Sequence, residues 1–167
     1  MDEKRKVIIG VVGVIIVVVV IGGLLFTSHS NTKPALSIEL DREKCKRCGM
    51  LISDLRYAAA ILVEGEQDYW KYDDIGEMVL DYKKNSGSRK IIEIIVFDYA
   101  TKEPLDATRA WYVKADPTSL KTPMGFGVVA LSEKERAEKL AEEYSGVVLS
   151  WSELLKVELK PTMMGES

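Results

Sequence analysis

The hydrophobic pattern divides the chain into one unbroken apolar run and a longer region where apolar and polar positions alternate. Val7 to Phe26 holds twenty apolar or glycine residues without a charge. At about 1.5 Å rise per residue, such a helix spans about 30 Å, the thickness of a bilayer's hydrocarbon core. A buried helix of a soluble domain would show a polar face, and this run shows none. It predicts a transmembrane helix. Lys4, Arg5 and Lys6 precede it, and the segment TSHSNTKPA after it carries only Lys33. The positive flank stays inside, so residues 1–6 are expected in the cytoplasm and the C-terminal region outside, at the cell membrane. The run exceeds the apolar core of a cleaved signal peptide, and no small-x-small site follows cleanly, so an uncleaved anchor is expected. No cysteine closes the run, which excludes a lipoprotein anchor.

Residues 27–35 are polar, contain Pro34 and read as a linker. Leu36 to Leu40 suggests a short strand. Arg56 to Val63 and the aromatic, alternating Asp68 to Tyr72 predict a hairpin over the turn Glu64-Gly65. Asp73 is placed to cap a helix on which Ile75, Met78, Val79 and Tyr82 recur at i, i+3, i+4, i+7. Ile91 to Phe97 is the strongest strand pattern. The order then repeats. Asp106 to Ala115 predicts a strand with Ala107, Arg109, Trp111 and Val113 on one face, and Gly127 to Leu131 a second strand. Ser132 with Glu135 forms the signature of a capping box, and Ala137, Leu140, Ala141 and Tyr144 again mark one helical face. Val147 to Leu149 is a strand, and Trp151 to Lys156 a last turn or two of helix. The expected fold class is therefore α+β: two ββαβ-type units, about 36–98 and 105–158 within a domain 36–158, with mostly antiparallel sheet. Residues 159–167 read as a flexible tail containing Met163 and Met164.

Composition narrows the chemistry. The chain has one histidine, His29, in the linker, and two cysteines. No Ser-His-Asp or Cys-His machinery and no His-rich metal centre can be built from it. Its net charge of −3, well mixed, suggests neither nucleic acid nor anionic lipid as partner. The sharpest feature is Cys45-Lys46-Arg47-Cys48-Gly49-Met50. Lys44, Lys46 and Arg47 around the sulfurs are expected to favour thiolate. Met50 adds a thioether, and soft sulfur donors select copper(I) over hard cations. Other readings stand beside copper. Structural zinc normally takes four nitrogen or sulfur ligands, and no second Cys or His pair exists here. A thioredoxin-like motif opens a helix after a strand, and no helical pattern follows Gly49. A local disulfide is the remaining alternative. A second methionine, Met124 in TPMGFG, stands between Pro123 and Gly125, where neither helix nor central strand is comfortable. It is either a side chain presented on a stiff turn or a core plug. The pair Asp73-Asp74 is accounted for by helix capping.

The blocks CKRCGM, WKYDDIGEM, VFDYATKEPLDATRAWYV and TPMGFGVVAL, in that order, resemble the NosL family, the membrane-tethered accessory proteins of nitrous oxide reductase. The resemblance covers about residues 41–155. It implies an extracytoplasmic copper(I)-binding chaperone rather than an enzyme, with a fold resembling organomercurial lyase. It implies metal ligands Cys48 and Met50 from the family's Cys-x-Met and Met124 from its Met-Gly turn, with Cys45 as an additional thiol. The implied partner is an acceptor cuproenzyme, nitrous oxide reductase or another copper enzyme. The chain departs from familiar members in carrying a predicted transmembrane helix where they carry a lipid-attachment cysteine. The alternative function is a thiol-disulfide oxidoreductase or a lyase-like thiol enzyme using the CxxC; lyase chemistry needs an acid beside two thiols, which the sequence does not locate.

Overall fold

The computed structural model describes residues 33–162. The predicted stub 1–6, the transmembrane helix 7–26, His29 and the methionines Met163 and Met164 lie outside the described residues. Among the described residues no helix is long and apolar enough to cross a membrane.

The element order is β1 (Ala59–Val63), β2 (Trp70–Tyr72), α1 (Ile75–Asn85), β3 (Ile91–Phe97), β4 (Pro104–Asp106), β5 (Trp111–Lys114), β6 (Val128–Leu131), α2 (Lys134–Glu143), β7 (Val147–Leu149) and α3 (Trp151–Leu154). The fold is α+β with antiparallel sheets. One sheet runs β2-β1-β3-β4 and the other β6-β5-β7. In each, the first strand of the unit lies in the centre, flanked by the second and third, all antiparallel. The ββαβ order thus occurs twice with one topology, and β4 extends the first sheet. An isolated parallel bridge between Asp98 and Ala130 joins the sheets.

Periodicity explains the layers. Alternate residues of β6 face opposite sides: Val128 and Ala130 meet α1 residues Ile75, Met78 and Val79, while Val129 and Leu131 meet α2 residues Ala137 and Ala141. β1 is buried on both faces. Ala59, Ile61 and Val63 enter the main core, and Ala60 and Leu62 pack under Leu36.

Several local expectations are corrected. Leu36 to Leu40 forms no strand; Leu36 and Ile38 instead cover the outer face of the first sheet. The strand expected over Asp106 to Ala115 is broken. The Asp106 carboxylate accepts from the N–H (2.8 Å) and hydroxyl (2.7 Å) of Thr108, turning the chain between β4 and β5. Ser132 does not cap α2. Its hydroxyl donates to Asp98 instead, and Glu133 stands at the cap without a side-chain bond. A capping box does form at α3, between Ser150 and Glu153.

Candidate metal centre

The two cysteines lie on an arch. The Asp41 N–H donates to Ile52 O, Ile52 N–H to Glu43 O, and Cys45 N–H to Met50 O, all at 2.8–2.9 Å. The chain reverses through Gly49, whose φ of +77° suits glycine and strains other residues. The Gly49 N–H closes the turn on Cys45 O at 3.0 Å. The arch is tied to β2 by Lys46 N–H donating to Lys71 O at 2.7 Å. β2 ends at Tyr72, so the next residue, Asp73, arrives beside the arch.

There the ligand atoms of Cys45, Cys48 and Asp73 lie within 4.8 Å of one another. Both thiols are free; Cys45 is buried and Cys48 half-buried. The Cys48 thiol donates to Asp73 Oδ1 at 3.4 Å. Asp73 is 2% exposed, yet its Oδ2 has no hydrogen-bond partner. A buried oxygen left without a donor is costly, and a cation held against it would remove that cost.

The electrostatics differ from the sequence expectation. Burial pushes the Cys45 thiol up, while the N–H groups of Cys48, Asp73 and Arg47 pull it down less strongly. Burial, with the Cys45 thiol and the Asp73 charge, pushes Cys48 up to about 12 against the Met50 N–H. Two of the three nearby cations are engaged elsewhere. The Lys46 ammonium lies 4.9 Å over the Trp70 ring, and Arg47 Nε sits 2.5 Å from Glu77 Oε2. That contact is an ion pair without an aligned hydrogen bond, since Glu77 Oε2 has no hydrogen-bond partner. Asp73, Asp74 and Glu77 are all buried, and Asp73 is the one whose carboxylate lies beside the thiols. Burial and the neighbouring Asp73 and Asp74 raise the Glu77 carboxyl, against the pull of Arg47.

The sequence candidates distribute unevenly. Cys45 and Cys48 converge. Met50 stands on the same arch with its residue 51% exposed. Met124 is half-buried and packs against the core cluster that also receives Cys45 and Cys48. Its N–H donates to Asp74 Oδ2 at 3.0 Å. Asp73 is the residue that sequence reasoning missed. The cap of α1 is Asp74, whose Oδ1 accepts from Gly76 N–H at 2.8 Å, which frees Asp73 to face the thiols. The signal was present: one helix needs one cap, and two acids stood before it.

Residues 37–159 match the family described as NosL. The chain belongs to the NosL family. A solved structure, the crystal structure of the copper chaperone NosL from Shewanella denitrificans, is similar with a TM-score of 0.61 and 21% identity. That match covers 73% of this chain and 96% of the other. No curated protein matches. Within this fold, the arch and the residue after β2 are the segments that bring the ligand atoms of Cys45, Cys48 and Asp73 together.

Proposed function

We propose that this protein is a membrane-anchored, extracytoplasmic copper(I) chaperone that passes its ion to a cuproenzyme, with nitrous oxide reductase as the first candidate. The observation that carries the reading is the convergence of two free thiols on the buried carboxylate of Asp73, whose second oxygen has no hydrogen-bond partner, in a NosL-family chain. The similar solved protein is described as a copper chaperone, which supports the same cargo. Cys48 supplies the thiolate, Met50 and Met124 the thioethers, and Cys45 an optional further sulfur. Thioethers carry no proton and hold copper(I) without redox chemistry. Exposed Met50 leaves the site open to an incoming ligand, so the ion can leave by ligand exchange. The apolar run Val7 to Phe26, with Lys4, Arg5 and Lys6 before it, supports the anchor and its orientation.

Anaerobic copper(I) titration with X-ray absorption tests the cargo. One ion per chain in a sulfur-dominated shell is expected; a shell dominated by nitrogen or oxygen contradicts the assignment. Carbonate extraction of membranes tests the anchor, which fails if the full-length protein appears in the supernatant.

A thiol enzyme is the second reading, and Asp73 favours it in one respect. Cleavage of a carbon–metal bond needs an acid beside two thiols, and Asp73 is the carboxyl group that stands beside them. Met124→Leu separates the readings. Turnover by the dithiol would survive it, whereas copper affinity would fall.

A further inference from the structure

We propose that Asp74 is the positioning residue of the metal centre, holding the Met124 loop of the second unit against the thiol arch of the first. The inference rests on the copper-binding reading above.

A helix cap needs one oxygen, and Asp74 uses Oδ1 for it, accepting from Gly76 N–H at 2.8 Å. Its Oδ2 does something that capping does not explain. It accepts from the Met124 N–H at 3.0 Å, fifty positions along the chain. The Thr122 side chain, two residues before Met124, also lies near enough to this carboxylate to lower its proton affinity. The Thr122 hydroxyl oxygen accepts from Phe126 N–H at 3.1 Å and Gly127 N–H at 3.2 Å. The loop around Met124 is thus folded about one threonine, and Asp74 holds it at the Met124 N–H.

Packing repeats the connection. Gly76 lies so close to Phe126 that an added Cβ would fall 2.1 Å from Phe126 Cγ. The loop is therefore seated on the N-terminus of α1 by its side chains as well as its amides. On the other side of the same peptide link, Asp73 accepts from the Cys48 thiol at 3.4 Å. One dipeptide faces the thiols with its first carboxylate and holds the methionine loop with its second. Met50 and Met124 are 74 positions apart and share no local motif. Asp74 is fully buried, so its bonds are not exchanged with water.

The test uses Asp74→Ser in the full chain, held in detergent. Serine keeps a good cap oxygen but has no second one for Met124. Copper(I) affinity is read by anaerobic chelator competition, the sulfur count by X-ray absorption, and folding of the apo protein by its thermal midpoint. Asp74→Ser should weaken copper by about 10–100-fold, the usual effect of removing a group that orients a ligand. It should also remove one sulfur from the shell. Added to Met124→Leu it should weaken copper no further. If Asp74→Ser does not fold, Asp74→Asn serves, because its amide presents a donor to one of the two N–H groups; the same loss and the same non-additivity are expected. Unchanged affinity in the aspartate variant beside a loss in Met124→Leu overturns this proposal alone, as do additive losses in the double variant. Unchanged affinity in Met124→Leu overturns the ligand assignment and this proposal together.

Discussion

On the proposed function, copper(I) entering the site must displace protons, because burial holds both Cys45 and Cys48 above the ordinary thiol range. At neutral pH both are thiols in the apo protein. Each one that becomes a ligand releases a proton, so apparent affinity rises with pH. With Cys48 as the single thiolate, the rise is about tenfold per pH unit between about pH 6 and 8. A chelator competition series measures it. A hundredfold rise per unit would mean that Cys45 is deprotonated too. The same assignment predicts that Cys48→Ser abolishes tight binding while Cys45→Ser only weakens it. Equal losses in metal titrations of the two variants would indicate a bis-thiolate site. The residue scale also shows what the sequence could not convey. Lys46 and Arg47 flank the sulfurs in sequence, but Trp70 and Glu77 claim them in space, and those partners are remote in the chain.

At the scale of elements, helices and long strands were legible because their signals are local. Ile75, Met78 and Val79 are fully buried as their spacing required, and Ile91–Phe97 and Val147–Leu149 stand where the apolar runs put them. What failed was decided by competition between neighbours. Asp74, not Asp73, took the cap of α1, and Ser132 was drawn away from α2 by Asp98. Spacing cannot rank two adjacent acids or anticipate a remote carboxylate. Two consequences are measurable by urea unfolding. Glu133 caps α2 without a side-chain bond, so Glu133→Asp should add roughly 0.5–1 kcal/mol. A loss would show that its ion pair with Arg136 matters more than the cap. Gly76→Ala should cost about 1–3 kcal/mol, because its Cβ would lie 2.5 Å or less from three Phe126 atoms. Phe126→Ala in the same chain removes the Cγ and Cδ2 atoms of that clash, so the two changes should cost less together than their separate losses summed; full additivity would deny the contact.

At the scale of the whole molecule, the two sheets are joined where β3 ends. Asp98 pairs with Ala130 across the bridge, and the next N–H, of Tyr99, donates to Ala130 O at 2.8 Å. The Asp98 carboxylate is fully buried and accepts four bonds. Two come from the N–H groups of Ala100 and Thr101, and two from the N–H and hydroxyl of Ser132 in the second unit. Burial pushes its carboxyl up, but the combined donors outweigh that and hold it below the usual aspartate range. The sign of the linkage follows. A depressed folded-state value means stability that is complete above the unfolded value of about 4 and lost as pH falls through the folded value. Asp98→Asn keeps the shape but sets an amide donor among N–H donors, and removes the charge. It should cost more than about 2 kcal/mol at neutral pH, where charge-assisted bonds are intact. Below about pH 4 the wild type should lose its advantage, and the two stability curves, from denaturant unfolding at each pH, should converge. Curves that stay parallel down to the acid limit of folding would place the junction's strength in the Ala130 backbone pairing and not in the Asp98 charge.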